Sequence, residues 1–430
     1  MLLRKENGYF QYSSLTPENS QITLDIINEH NTIGINNSSL RRKMDFIDRF
    51  FQPPKTSFFL FGARGTGKST FIQNHYRTAL LIDLLDPENI RSFAAMPERL
   101  REMVAAQPQS GCLVIAEIQK VPALLGVVHK LIESKKGWQF VLTGSSERKL
   151  KRTGVDLLAG RAILHTMHPF IAAELKQNFV LEQALYFGLL PIVFASQTPQ
   201  EVLRSYAALY VREEVQMEGL VRNIGNFSRF LEAVSFSHSS VLNISNVARE
   251  CEVERKVVEG YLEILEDILL AWRLPVFAKR AKRKLNAHPK FYLFDAGVFQ
   301  ALRPKGPLDR PEEVEGQALE GLVGQHLHAW IAYSRIKREM FYWRTRSGVE
   351  VDFVVYGPDG IWGVEVKNAK RIHPQDLRGL KAFKEEYPQS QTVLLYRGKD
   401  RLLKDDILCI PCSEFLLHLI PNQSLDEAFV

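Results

Sequence analysis

The run Phe58-Phe59-Leu60-Phe61-Gly62-Ala63-Arg64-Gly65-Thr66-Gly67-Lys68-Ser69-Thr70 fits the pattern GxxxxGK[ST], with an apolar segment before it and a helix signal after it. Each residue type has a task in holding a triphosphate. Glycines let backbone N–H groups turn inward around phosphate oxygens, and a helix starting near Lys68 adds the positive end of its dipole. Lys68 reaches the β- and γ-phosphates, and the Ser69 hydroxyl ligates Mg²⁺. The spacing predicts an ATP site built by Gly62, Ala63, Arg64, Gly65, Thr66, Gly67, Lys68, Ser69 and Thr70.

Hydrolysis needs a metal-orienting carboxylate and a base for the attacking water, normally an Asp-Glu pair closing a buried strand. In Leu113-Val114-Ile115-Ala116-Glu117 the base position is filled by Glu117, but the first position is Ala116. A methyl group can neither accept a hydrogen bond from metal-bound water nor offset a divalent charge. Either another carboxylate substitutes, or turnover is weak, or the position was altered to trap nucleotide. Asp83 ends a neighbouring strand but is expected too far along the sheet. A further apolar strand, Phe140-Val141-Leu142-Thr143-Gly144-Ser145, ends in hydroxyls. At a strand's carboxyl end, Thr143 and Ser145 either face the nucleotide crevice or merely cap the next helix.

A second chemistry lies near the other end of the chain. Glu350 and Asp352 alternate on one strand, Gly357-Pro358-Asp359-Gly360 is a turn, and Glu365 and Lys367 alternate on the returning strand. A hairpin in suitable register brings Asp352, Glu365 and Lys367 together, and Glu320 on the preceding helix could join them. This D…ExK arrangement resembles that of the PD-(D/E)xK nucleases. Such carboxylates hold Mg²⁺ or Mn²⁺ and activate water, with Asp352 and Glu365 as metal ligands, Lys367 assisting the nucleophile. The plainer reading is a hairpin with a solvated polar face.

These groups must be positioned by ordinary elements. Short apolar strands at Phe58–Phe61, Ala79–Leu84, Cys112–Ile115 and Gln139–Thr143, separated by helix-length segments, predict a parallel sheet covered on both faces. A helix is expected over Ser39–Phe51, ended by Pro53 and Pro54. From about 170 to 270 the pattern is helical, and Val241–Leu262 reads as two helices with a short turn, the first capped by Ser245. Between Trp272 and Leu293 there is no acidic residue. Lys279, Arg280, Lys282, Arg283 and Lys284 would form a basic wing suited to DNA phosphates, unless the stretch is only a solvated loop.

Composition bounds the rest. The 430 residues are 45 % hydrophobic and 24 % charged, a globular balance, with a net charge of +6 that leaves an acidic partner open. The longest uncharged apolar run, Ala184 to Ala195, is broken by Gly188 and Pro191 and falls short of the roughly 20 residues of a bilayer span, so no membrane is expected. No signal peptide is legible at Met1–Gly8, and four cysteines make no disulfide scaffold, which fits a reducing cytoplasm. Cys409 and Cys412 lack the partners of a zinc site.

Several blocks together resemble one family, prokaryotic AAA-type ATPases with a winged-helix region and a C-terminal restriction-endonuclease-like domain. They are Gly62-Ala63-Arg64, Glu117-Ile118-Gln119, Leu142-Thr143-Gly144-Ser145-Ser146, Gly160-Arg161 with His168-Pro169-Phe170, Pro289-Lys290-Phe291-Tyr292, Tyr342-Trp343-Arg344, Glu350-Val351-Asp352 and Val364-Glu365-Val366-Lys367. The resemblance implies an α/β fold divided into a lead-in (1–52), an ATPase core (53–170), a helical lid-like segment (171–235), a winged-helix region (236–304) and a nuclease-like domain (305–430). It implies Thr143 and Ser145 near the γ-phosphate, and Arg161 acting on a neighbouring subunit's nucleotide in a homo-oligomer. Ala116 departs from the family pattern, where an Asp stands. Ala116→Asp is expected to speed steady-state ATP hydrolysis; equal turnover by the two forms in a phosphate-release assay would refute the role given to this position.

Overall fold

Four apolar residues in a row need shelter on both faces, and Phe58–Phe61 (β1) obtains it near the middle of a five-stranded parallel sheet. The computed structural model describes residues 46–146, 158–210, 215, 223–278 and 288–429. The sheet continues with Leu80–Asp83 (β2), Cys112–Ala116 (β3), Gln139–Gly144 (β4) and Ile163–Thr166 (β5), in the order β2-β3-β4-β1-β5. Strands β1 to β4 match the expected strands to within a residue or two, and β5 adds an edge strand that was not expected. Helices Lys68–His75 (α1), Pro87–Ala95 (α2), Arg99–Ala105 (α3) and Leu124–Glu133 (α4) provide the crossovers.

The segment before β1 departs from expectation. Residues 46–51 are not helical, and the part of the expected Ser39–Phe51 helix before them lies outside the described residues. The reason is Arg49. Its Nε reaches both carboxylate oxygens of Glu174 at 3.1 and 3.2 Å, and the Phe50 amide donates to the same carboxylate at 2.8 Å. Phe51 buries its ring against Phe58 and Phe71. An extended chain can serve all three contacts, whereas a helix would turn its amides toward its own carbonyls.

After β5 come short helices Ala172–Leu175 (α5), Leu181–Phe187 (α6), Pro191–Phe194 (α7) and Pro199–Ser205 (α8), two of them opened by proline at their first position. The uncharged run around residues 184–195 is thus divided between α6 and α7. Next are Ile224–Ser235 (α9), Ser240–Val241 (β6), Ile244–Glu250 (α10), Arg255–Asp267 (α11), Ala271–Leu274 (β7) and Lys290–Leu293 (β8), with β8 central in the sheet β6-β8-β7. Helix α10 is capped by Asn243, whose side chain accepts from the Asn246 amide, rather than by Ser245.

Helix Ala296–Leu302 (α12) precedes a 23-residue helix, Pro311–Tyr333 (α13). A mixed sheet follows, made of Glu339–Arg344 (β9), Glu350–Gly357 (β10), Gly360–Lys367 (β11), Gln391–Tyr396 (β12), Leu402–Lys404 (β13) and Ile407–Pro411 (β14), with helices Arg378–Glu386 (α14) and Cys412–His418 (α15). The order is β13-β14-β12-β11-β10-β9, and β10 and β11 form the antiparallel hairpin read from the sequence. Cys409 and Cys412 are buried free thiols.

The middle region and this last sheet share a core. Gly321 and Gly324 on α13 leave room for the rings of His238 and Trp272, and Trp272 stacks on Tyr292 at 4.3 Å. The chain after β7 pairs with β9, Phe277 donating to the Tyr342 carbonyl at 2.6 Å and Tyr342 to Pro275 at 3.0 Å. Arg49→Ala is expected to cost about 3–5 kcal/mol in urea denaturation, because Glu174 would lose its buried counter-charge. A loss under about 1 kcal/mol, the size of an exposed pair, would count against the clamp.

Candidate functional site

The phosphate loop leaves β1 at its carboxyl end and enters α1. Gly65 and Gly67 adopt φ of +83° and +89°, which L side chains rarely tolerate. A Cβ on Gly62 would stand 2.6 Å from the Met167 carbonyl. The buried Lys68 folds back on the loop, its Nζ donating to the carbonyls of Gly62 at 2.6 Å and Ala63 at 3.2 Å. Thr66 Oγ1 also donates to Ala63, at 2.8 Å. Ser69 and Thr70 are exposed on the first turn of α1, and no acidic residue lies there to repel an anion.

These residues fit a nucleotide. The backbone of Gly62–Gly67 and the Lys68 ammonium would hold phosphates, and the Ser69 hydroxyl a magnesium ion. Bound ATP would supply the transferable phosphoryl group. The outer side of the loop is braced by Arg49, which donates to the Thr66 carbonyl at 2.9 Å, and by Tyr206, whose hydroxyl donates to the Arg64 carbonyl at 2.9 Å.

Parallel pairing brings Thr143 beside Leu60 and Gly144 beside Phe61, so Thr143 and Ser145 lie at the edge where the phosphate loop begins. Glu117 follows β3 in a left-handed conformation, φ 57°, which costs of order 1 kcal/mol for a side chain of this kind. Its Oε2 accepts from Gln119 Nε2 at 2.7 Å, and the same amide donates to Ser145 Oγ at 3.1 Å. Gln119 therefore joins Glu117 to Ser145, a link the sequence reading missed. Asp83 pairs in register with Ala116, but β2 is the edge strand and the Asp83 carboxylate accepts from its own Leu85 amide at 2.9 Å. Arg161 precedes β5, whose Ile163 pairs with Phe58 at the start of β1. It sits at the opposite end of the sheet from its own phosphate loop and forms an ion pair with Glu133.

In the C-terminal sheet the hairpin brings the expected carboxylates around Lys290, which the sequence reading gave no site role. Lys290 Nζ lies 3.0 Å from Glu320 Oε1, 3.2 Å from Asp352 Oδ1 and 3.8 Å from Glu350 Oε1. Tyr292 donates to Glu320 at 2.7 Å, and the Val366 amide to Asp352 at 2.9 Å. Lys367 pairs with Glu365 at 2.6 Å, leaving Glu365 Oε2 buried without a hydrogen bond. Burial and the neighbouring Asp352 push Glu365 up to about 8 and Glu320 up to about 7. Burial opposes the charge on Lys290, yet the surrounding carboxylates hold its pKa well above that of an ordinary lysine.

Among the described residues no group of three His, Cys, Asp or Glu side chains could hold a metal ion. The oxygens of Glu320 and Asp352 converge on an ammonium instead. The sequence placed Lys290 in a stretch free of acidic residues and read only the charge of that stretch. A signal was present: a lone lysine heading the buried run Phe291-Tyr292-Leu293. The wing residues Lys279, Arg280, Lys282, Arg283 and Lys284 lie outside the described residues.

Comparison with known proteins gives the class. Residues 54–176 match an AAA domain, 178–309 a domain of unknown function (DUF8612), and 315–415 another domain of unknown function (DUF4143). The chain thus carries an AAA-type ATPase domain. Uncharacterized proteins of Mycobacterium tuberculosis and Mycobacterium bovis are each 24 % identical over 323 residues, 73 % of this chain and 71 % of theirs. Among solved structures, a Signal Transduction ATPase with Numerous Domains protein with a tetratricopeptide repeat sensor, from Pyrococcus horikoshii, aligns at 12 % identity and TM-score 0.20, over 65 % of this chain and 45 % of its own. A Vibrio cholerae protein aligns at 12 % identity and TM-score 0.20, over 81 % of this chain and 98 % of its own. Likeness of that degree carries no argument. No helix among the described residues is long and apolar enough to cross a membrane.

The raised carboxyls set a pH dependence with a definite sign. The folded chain holds these protons more tightly than the unfolded chain, where glutamate titrates near 4.5. Stability should therefore fall as pH rises from 4.5 toward about 8, then level off. Glu365→Gln should flatten that decline in denaturation midpoints measured across the same range; an unaltered slope would mean that Glu365 is ionised throughout.

Proposed function

We propose that the protein is an ATP-binding, slowly hydrolysing AAA-type ATPase that couples its nucleotide state to engagement of DNA by the middle region. The observation that carries the coupling is a continuous hydrogen-bonded path from the phosphate loop. Lys68 and Thr66 share the Ala63 carbonyl, the Thr66 carbonyl accepts from Arg49, and Arg49 donates to Tyr333 at 3.2 Å. Tyr333 ends α13, and Glu320, about 20 Å away along the same rigid helix, touches Lys290 of β8.

Support for a winged helix comes from the element order α9-β6-α10-α11-β7-β8 with β8 central, and support for a nuclease-like fold from α13-β9-β10-β11-α14-β12. Helix α11 carries Arg255 and Lys256 against Glu259, Glu263, Glu266 and Asp267, so it adds no positive potential. Phosphate contacts would fall to Lys279–Lys284, between β7 and β8. Cutting is left out of the proposal because the carboxylate cluster already holds a cation. Should Arg161 act on nucleotide, its distance from its own loop requires a second copy of the chain.

Fluorescence anisotropy with labelled duplex, single-stranded and branched DNA tests the reading. Affinity is expected to differ about tenfold or more between ADP and a non-hydrolysable ATP analogue, a coupling of roughly 1.4 kcal/mol. Replacing Lys282, Arg283 and Lys284 by alanine should lower the salt slope by about 3. Unchanged salt dependence, or equal affinity in every nucleotide state, would point to a protein partner instead.

A further inference from the structure

We propose that Lys290 is the resident cation of the C-terminal carboxylate cluster, standing where a divalent metal would otherwise sit and holding this domain in a metal-free, non-cleaving form. The distances are those of an ammonium. Lys290 Nζ stands 3.0, 3.2 and 3.8 Å from oxygens of Glu320, Asp352 and Glu350, and so occupies the point on which these carboxylates converge. Tyr292, two residues on, donates to the same Glu320 oxygen, so one strand end supplies both the charge and a hydrogen bond.

Lys290 is not free to swing aside. Its side chain is 3 % exposed. It sits on the central strand of its sheet, paired with Val241 of β6 on one side and Leu274 of β7 on the other. Its ammonium lies 5.8 Å from the centre of the Tyr342 ring, and the neighbouring Tyr292 is stacked under Trp272. The remaining charges are also matched within the protein, Glu350 by Arg344 at 3.2 Å and Glu365 by Lys367. The ammonium therefore does structural work that an exchangeable ion would do in a cutting enzyme, since it joins the middle region to the C-terminal sheet.

The inference does not depend on the nucleotide or DNA reading, because its test uses neither. Mn²⁺ binding to nucleotide-free protein is followed by electron paramagnetic resonance in the wild type, Lys290→Ala, Asp352→Asn, and Ser69→Ala as a control for metal at the phosphate loop. The expected result is no wild-type binding that Asp352→Asn removes, and a new site of about one ion per chain in Lys290→Ala, lost again in the Lys290→Ala/Asp352→Asn double variant. Wild-type Mn²⁺ binding abolished by Asp352→Asn but not by Ser69→Ala would overturn the proposal. A folded Lys290→Ala that takes up no metal would overturn it equally, since the lysine would then occupy no metal's place. Should Lys290→Ala fail to fold, the wild-type titration still decides by itself.

Discussion

A guanidinium shielded from water must find an acceptor for its N–H groups inside the protein, and Arg49 finds them in four separate parts of the chain. Its side chain is 4 % exposed and bonds Glu174, the carbonyls of Thr66, His168 and Pro169, and the Tyr333 hydroxyl. Glu174 in turn accepts from the amides of Phe50 and Ile171. Because a buried, unpaired charge is so costly, none of these segments can shift alone. The constraint fixes the outer wall of the phosphate loop, the turn after β5 and the end of α13 relative to one another.

The middle of α13, at Glu320, is held by the same physics with the charges reversed. There the carboxylates are in excess, and one buried ammonium with a supporting tyrosine makes them tolerable. A single helix thus has one ionic anchor at its end, beside the ATPase sheet, and one midway along it, at the C-terminal sheet. Its face between them is lined by residues such as Gly321 and Gly324, whose missing side chains admit His238 and Trp272. Rigidity along the helix and close packing across it leave little room for independent movement of the two anchors.

What the sequence disclosed, and what it hid, divides by range. The phosphate loop was legible because GxxxxGK[ST] is contiguous and its glycines answer a local backbone demand. Four of the five strands of the parallel sheet, and the two strands of the C-terminal hairpin, were legible because apolar runs and alternation are local too. The hairpin placing Asp352 near Glu365 followed from a turn and a period of two. Arg49 was invisible: its partners lie 125 and 284 positions away, and nothing local distinguishes it from a surface arginine. The helix expected over Ser39–Phe51 fails at its described end for that reason, since tertiary bonds outbid local propensity. Lys290 was counted as one more positive charge in a basic stretch. No acidic residue stands nearby in sequence, so its carboxylates had to come from elsewhere in the fold, and chain order alone cannot say from where.

A nucleotide can bias this molecule only through contacts that differ between its bound and free states. The free state has a specific one to lose. Lys68 donates to two carbonyls of its own loop, and an ammonium turned toward phosphate would release them. The Ala63 carbonyl would keep Thr66 as its donor, and the Thr66 carbonyl is an acceptor for Arg49. Any adjustment of Thr66 must therefore be met by Arg49, which has no water to fall back on and no slack in its other bonds. The missing aspartate at Ala116 gives this arrangement a further consequence. Under the slow hydrolysis proposed above, the triphosphate state persists, and a long-lived bound state suits a chain that holds a conformation rather than one that cycles rapidly.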